Sequence, residues 1–335
     1  MYAAMAMEAG VIPAQIYALQ FSQEAPTIVS VIKSINTFIT DRVDFQTALG
    51  QVPGAVKTLV GLYRDCRRKC IIMMLTQGII IATTNHRSNQ TLFVDAGIGV
   101  YLKVLVRVKR SDVMLTALDL IERLVEYNHH TQQVFIKLGV YEPIVAYLKT
   151  CRILGLQERF AGCLWAMAGE DIIDRPLMAE RMCIRMLINF TSSISLKLQF
   201  LGIDALGVLA LNPLGLHDAF NEGECIQEIL VLLKNARWNE QLVLNSLQTL
   251  AYMCVMSGVI PHRVNQNSVC KYRGMRLVLH FHCNANNELL KAQAAWTLSS
   301  VVLCKYVVRV GDRTDKRTDG RQDERTKGQT DGRTD

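Results

Sequence analysis

The chain has 335 residues, half of them hydrophobic and 7% aromatic, with a mean hydropathy of +0.16 and a formal net charge of +7. That is enough apolar material for one long domain or two ordinary ones, and too much for a disordered chain. Few prolines and aromatics favour helices over a sandwich, and the charge lacks the clustering of a nucleic-acid footprint.

Ten cysteines at irregular spacings, with no CxxC pair, read as reduced, mostly buried thiols of a cytosolic protein. The start, MYAAMAMEAGVIP, lacks the positive region of a secretory signal. The most apolar run, CIIMMLTQGIIIAT (70–83), is well short of the roughly 20 residues that span a bilayer and reads as a core helix.

From its N-terminus onward the chain repeats itself. MEAGVIPAQIYAL (7–19), TALGQVPGAVKTL (47–59), VDAGIGVYLKVLV (94–106), IKLGVYEPIVAYL (136–148) and FNEGECIQEILVL (220–232) each carry glycine fourth, before an apolar helical pattern. In AERMCIRMLINFT (179–191), Met182 stands in the glycine's place. Gly10, Gly50, Gly97, Gly139 and Gly223 are 40, 47, 42 and 84 residues apart, a period of about 42. Each glycine is expected to end a short helix in left-handed backbone, with Pro13 or Pro53 in the first turn of the next helix.

Longer amphipathic helices are predicted between these motifs, around 26–39 and 64–83 and then at 111–127, 155–170, 196–211, 239–255 and 287–303. In the last five a small residue recurs at Ala117, Ala161, Gly202, Ser246 and Ala294. Four residues on stands a large one: Ile121, Trp165, Leu206, Leu250 or Leu298. Small then large along one stripe lets helices of adjacent repeats pack closely. Trp165 is assigned to that core stripe, and Trp238 to a loop at a repeat junction.

AGVIP and KAQAAWTLSS resemble the hallmark segments of armadillo repeats. LWAMAG (164–169), MAERMCIRMLINF (178–190) and KLQFLGIDALGVL (197–209) stand in an order similar to the armadillo portion of the ankyrin-and-armadillo-repeat-containing family, which residues 136–305 most resemble. The resemblance implies an all-α, right-handed α-solenoid of about seven armadillo-type repeats over residues 1–306, the first and last incomplete. In armadillo proteins the third helix of each repeat lines a groove along which extended peptides lie. A non-enzymatic protein–protein interaction scaffold is therefore expected, cytoplasmic or nuclear, with other proteins or extended peptide segments as partners. The Trp ladder of importin-like members falls here on Asp119, Cys163, Asp204, Gln248 and Trp296, and the Asn ladder on Arg123, Met167, Val208, Tyr252 and Ser300. Trp296 alone matches, which argues against nuclear-signal recognition of that style.

The expected groove residues are Asp119, Glu122, Glu126, Glu170, Asp204, Gln248 and Trp296. Their carboxylates either suit a Lys/Arg-rich peptide or form an ordinary solvated face. An outer basic patch comprises Arg64, Arg67, Arg68 and Lys69 with Arg107, Lys109 and Arg110. It carries the alternative reading, a nucleic-acid-associated helical repeat, which needs those residues on one continuous face. Cys66 and Cys70, one turn apart among these cations, are either a redox-sensitive pair or structural thiols. His129 and His130 are predicted to end a helix. His280, His282 and Cys283, with Cys270 upstream, lack the spacing of a zinc set. With no phosphate-loop, dinucleotide, zincin or nucleophile-elbow motif either, the sequence assigns no catalytic residue, metal, cofactor, small-molecule substrate or membrane span.

The last 25 residues, GDRTDKRTDGRQDERTKGQTDGRTD (311–335), hold seven basic and seven acidic side chains, so the net charge belongs to the residues before them. They read in fours, a period that suits neither helix nor strand. The tetranucleotide GACG, repeated, translates as Asp-Gly-Arg-Thr. Residues 307–335 are accordingly expected to be a disordered low-complexity tail, the translation of a tandem DNA repeat.

Overall fold

The computed structural model describes residues 5, 8–66, 68–108, 110–212, 216–256 and 260–303, and the 307–335 tail, Arg67 and Lys109 lie outside them. The described residues form twenty helices: α1 (Val11–Phe21), α2 (Ala25–Ile39), α3 (Val43–Gln51), α4 (Ala55–Asp65), α5 (Lys69–Thr83), α6 (Arg87–Asp95), α7 (Ile98–Leu105), α8 (Ser111–Val125), α9 (His129–Lys137), α10 (Tyr141–Thr150), α11 (Leu154–Ala168), α12 (Asp174–Met182), α13 (Ile184–Thr191), α14 (Leu196–Leu211), α15 (His217–Glu222), α16 (Cys225–Asn235), α17 (Glu240–Cys254), α18 (Arg263–Lys271), α19 (Gly274–Asn284) and α20 (Glu288–Val302). After α17 a short antiparallel pair, β1 (Val255–Met256) and β2 (Ile260–Pro261), sets Val255 opposite Pro261. From α3 the helices fall into sets of three, two shorter and then one of 15 or 16 residues. Six such sets follow the pair α1–α2.

The turn from first to second helix is marked by left-handed backbone at Gly10, Gly54, Gly97, Gly139, Cys183, Glu224 and Arg273, with φ between 58° and 88°. These positions are 44, 43, 42, 44, 41 and 49 residues apart, so the period continues through turns that carry no glycine. Three expectations shift accordingly. Gly50 lies inside α3, where a Cβ would collide with the Asn89 side chain, and the turn falls four residues later at Gly54. Pro53 therefore precedes the turn instead of opening α4. Glu224 and Arg273 take the left-handed position beside Gly223 and Gly274, at roughly 1–2 kcal/mol each for a residue with a Cβ.

Turns from third to first helix repeat too, with positive φ at Asp41, Asn85, Tyr127 and Gly169. The helix expected over 64–83 is broken: Cys66 and Arg68 are extended, separating α4 from α5. His129 and His130 open α9 rather than ending α8, because Tyr127 turns the chain just before them. His130 lies 2.8 Å from Asp95.

The chain divides into two compact units, one of Met1–Met186 with Ile194–Leu201, the other of Leu187–Ser193 with Gly202–Asp335. In the first, α2 packs on α5, α5 on α8 and α8 on α11. In the second, α17 packs on α20. Ala117, Ala161, Ser246 and Ala294 are fully buried in these contacts. Gly202 is tighter still, since a Cβ would stand 2.8 Å from the Leu187 carbonyl and 2.9 Å from Phe190 Cβ. Ile121, Leu206 and Leu250 are buried above the small residues, whereas Trp165 and Leu298 are half-buried. Trp165 is thus no core residue, and the Arg175 guanidinium lies over its ring at 5.2 Å. No helix of the described residues is long and apolar enough to cross a membrane.

Candidate functional site

A ladder of buried polar side chains on the first helices fixes where the long third helices end. Gln90 of α6 donates to the Thr83 carbonyl of the preceding repeat (3.4 Å) and to the Arg123 carbonyl of its own (2.8 Å). Gln132 of α9 does the same to Val125 (2.9 Å) and Ala166 (3.3 Å). In the second unit His217 Nε2 lies 3.2 Å from the Tyr252 carbonyl, and Gln266 Nε2 donates to the Ser300 carbonyl at 2.9 Å. The last carbonyls of a helix have no partner within it, and these side chains supply one. Three residues after each rung stands a buried core residue: Phe93, Phe135, Phe220 or Val269. That offset, seen in QTLF (90–93), QQVF (132–135) and HDAF (217–220), is the signal by which the sequence alone could have revealed the ladder.

In the first unit the expected acidic residues Asp119, Glu122 and Glu126 are already engaged. Arg159 of α11 pairs with Asp119 and lies 3.4 Å from Glu122 Oε2, both on α8. Arg123 holds Glu126 at 2.8 Å. Burial pushes the Glu122 carboxyl up to about 7, against the pull of Arg123 and Lys197. Cys163 and Met167, at the Trp and Asn positions of their helix, are fully buried. Burial, with Glu122 adding to it, drives the Cys163 thiol well above its ordinary range. Glu170 is exposed beyond the end of α11.

The second unit presents a different surface. Gln248 Nε2 of α17 donates to the Tyr252 hydroxyl at 2.6 Å. The Tyr252 ring meets the Trp296 ring of α20 edge to face, with centroids 5.3 Å apart. Trp296 remains 41% exposed, while Gln248 and Tyr252 are half-buried. Three positions expected on one face are thus joined across two consecutive third helices. Asp204, on α14, is half-buried.

Of the described basic residues, Arg68, Arg107 and Arg110 lie on the loops that enter the third helices, with Arg64 at the end of α4 and Lys69 at the start of α5. Lys69 pairs with Asp112, linking the starts of α5 and α8, and the Tyr147 hydroxyl in the last turn of α10 donates to the Arg107 carbonyl on the α7–α8 loop. The α4–α5, α7–α8 and α10–α11 loops therefore lie side by side. Arg64 is held by Asp65 at 2.9 Å, whereas Arg68, Arg107 and Arg110 are exposed. Arg152, on the third loop, is exposed too, and its part in this row was missed from the sequence. Of the nine described cysteines only Cys163, Cys225 and Cys254 are buried, so the thiols are not mostly core residues as expected, and the two at the α4–α5 loop are no matched pair. Cys70 is exposed, and Cys66 is half-buried with its thiol pushed up by burial and by Asp65.

His280 approaches Asn284, and His282 the Lys291 carbonyl. Among the described residues no group of three or more His, Cys, Asp or Glu could hold a metal ion. Trp238 is 71% exposed, two residues before α17.

No protein-family model matches the sequence, and no curated protein matches it. The fold is similar to a crystal structure of an engineered protein (14% identity, TM-score 0.71, covering 90% of this chain and 70% of that one). It is also similar to computationally designed armadillo repeat proteins for modular peptide recognition (13% identity, TM-score 0.53, 86% and 99%). A designed armadillo repeat protein in complex with the peptide (KR)4 is similar as well (13% identity, TM-score 0.50, 87% and 99%). At such low identity what is shared is architecture, and the chain has an all-α, armadillo-like helical-repeat fold.

Proposed function

We propose that the protein is a non-enzymatic interaction scaffold, of the ankyrin-and-armadillo kind and cytoplasmic or nuclear, that holds extended segments of partner proteins along its third-helix face. The observation that carries this reading is the Gln248–Tyr252–Trp296 group. A tyrosine fixed by a hydrogen bond and a half-exposed tryptophan fixed by that tyrosine lose little freedom on binding, as favours aromatic anchors at interfaces. Tyrosine and tryptophan also combine apolar area with a polar tip, which suits a peptide's mixture of side chain and backbone. The designed relatives in fold recognise peptides, which supports the same style of binding here. On α8, Arg159 already answers Asp119 and Glu122, so the aromatic group is the stronger anchor.

Selection of a random peptide library on the whole chain tests this. Binders should lose at least about tenfold in affinity on Trp296→Ala and on Tyr252→Ala, as for central interface aromatics. Binders indifferent to both substitutions would remove the anchor and, with it, this reading.

A further inference from the structure

The third helices differ in how they begin. Asn239 and Asn287 cap α17 and α20, each accepting a bond from a backbone N–H in the first turn. The corresponding positions of α5 and α8 are Arg68 and Arg110, and that of α11 is Ile153, with Arg152 just before it. None of these makes a side-chain cap. An arginine there sets a cation at the positive end of a helix, which disfavours the fold. Packing does not account for the choice, since Arg68, Arg110 and Arg152 are exposed; at α8 the first-turn Asp112 answers the helix end and lies near Arg110, but α5 and α11 carry no acidic residue in their first turn. Places where a local rule is broken without local compensation are where function is to be sought.

Lys69–Asp112 joins the starts of α5 and α8, and the Tyr147 hydroxyl in the last turn of α10 donates to the Arg107 carbonyl of the α7–α8 loop, so Arg68 on one loop, Arg107 and Arg110 on the next and Arg152 on the third follow one another from repeat to repeat. Packed helices stand about 8–10 Å apart, and that sets the step. Asp65 and Asp112 interrupt the row, each engaged with a neighbouring cation. A ligand with unbroken negative charge would meet these carboxylates; one with spaced charges can place neutral residues against them. A polyproline-II strand advances about 3.1 Å per residue with three residues per turn, so every third side chain shares a face at about 9.3 Å intervals. The exposed apolar neighbours, Val104 and Ile153, are aliphatic, suited to proline rings and not to stacking of bases.

We propose that the α4–α5, α7–α8 and α10–α11 loops form a docking edge for an extended acidic peptide bearing a carboxylate at every third residue. This edge is separate from the Gln248–Tyr252–Trp296 group and does not depend on it.

Fluorescence anisotropy of the full chain with a labelled (Pro-Pro-Glu)5 peptide tests the proposal. Binding should weaken as salt rises, and a peptide of the same composition with its glutamates in one block should bind at least about fivefold more weakly. The triple variant Arg68→Ser, Arg110→Ser, Arg152→Ser should lose at least about tenfold in affinity. Its melting temperature should hold or rise, because Arg68→Ser and Arg110→Ser place a capping side chain at the starts of α5 and α8, which separates lost recognition from lost folding. Arg276→Ala, an exposed control, should bind like the parent. The proposal is overturned if no peptide binds, if both peptides bind equally, or if the triple variant binds undiminished. It is likewise overturned if an oligouridylate of equal charge or phosphatidylserine vesicles bind more tightly than the peptide.

Discussion

The Gln90 side-chain amide donates to the Arg123 carbonyl across 2.8 Å, joining the first helix of a repeat to the end of its third. The same amide reaches Thr83 in the repeat before, while its oxygen accepts from Asn128 in the repeat after. One buried side chain thus serves three consecutive repeats. Gln90→Ala should destabilise the chain by about 1–3 kcal/mol, because carbonyls and an amide lose partners in a site that water does not reach. Urea unfolding measures this, and a change within a few tenths of a kcal/mol would show that the rung is idle.

His217 stands where Gln90, Gln132 and Gln266 stand, and it brings a proton equilibrium that they lack. Burial lowers its pKa below the ordinary value, with the Tyr252 carbonyl opposing. The unfolded chain therefore takes up a proton as pH falls through about 6.5 while the folded chain resists, and stability drops on acidification from this group. His217→Gln should keep a donor to Tyr252 and flatten that part of the stability–pH curve between pH 7.5 and 5.5. Parallel curves for the two proteins would mean His217 titrates freely.

Glu122 has the opposite sign. With its folded pKa raised to about 7 by burial, the folded chain holds a proton that the unfolded chain has lost, so stability falls as pH rises from about 4.5 through 7. Glu122→Gln should leave stability near pH 4.5 little changed and raise it at pH 8. Allowing for partial exposure and for Arg159, the gain is on the order of 1 kcal/mol. Thermal melts at the two pH values check this, and a loss of stability at pH 8 would mean that the contact with Arg159 outweighs burial.

Two glycines in the long helices should respond in opposite ways to alanine. At Gly202 a Cβ meets backbone of Leu187, which cannot rotate aside, so Gly202→Ala should cost about 1–3 kcal/mol. At Gly155, in the first turn of α11, nothing lies within 4 Å, and Gly155→Ala should stabilise by about 0.5–1 kcal/mol. Chemical denaturation of both variants gives the comparison.

Much of this architecture could be read from the residues, because burial writes a period into the chain. The stripe of Ala117, Ala161, Gly202, Ser246 and Ala294 lies on the packed third helices, and α14 spans the predicted 196–211. The turns were less legible. Left-handed backbone at Cys183, Glu224 and Arg273 is imposed by the packing of flanking helices, which a search for glycine cannot see. The pairing of Arg159 with Asp119 joins residues 40 positions apart on neighbouring helices, so a sequence stripe of acids looked free when it was engaged. Trp296 was picked out singly, but its partner Tyr252 entered only as a departure from an Asn ladder.

The bridging rungs carry a consequence for how such a chain can change over generations. Because Gln90 and Gln132 each satisfy a carbonyl before and a carbonyl after, a whole repeat can be gained or lost with the pattern of donors and acceptors restored at the seam. A deletion of a few residues between rungs rotates one helix against the next and strands both carbonyls. Length variation in relatives of this chain should therefore come in complete repeats or in the exposed loops, and seldom in between.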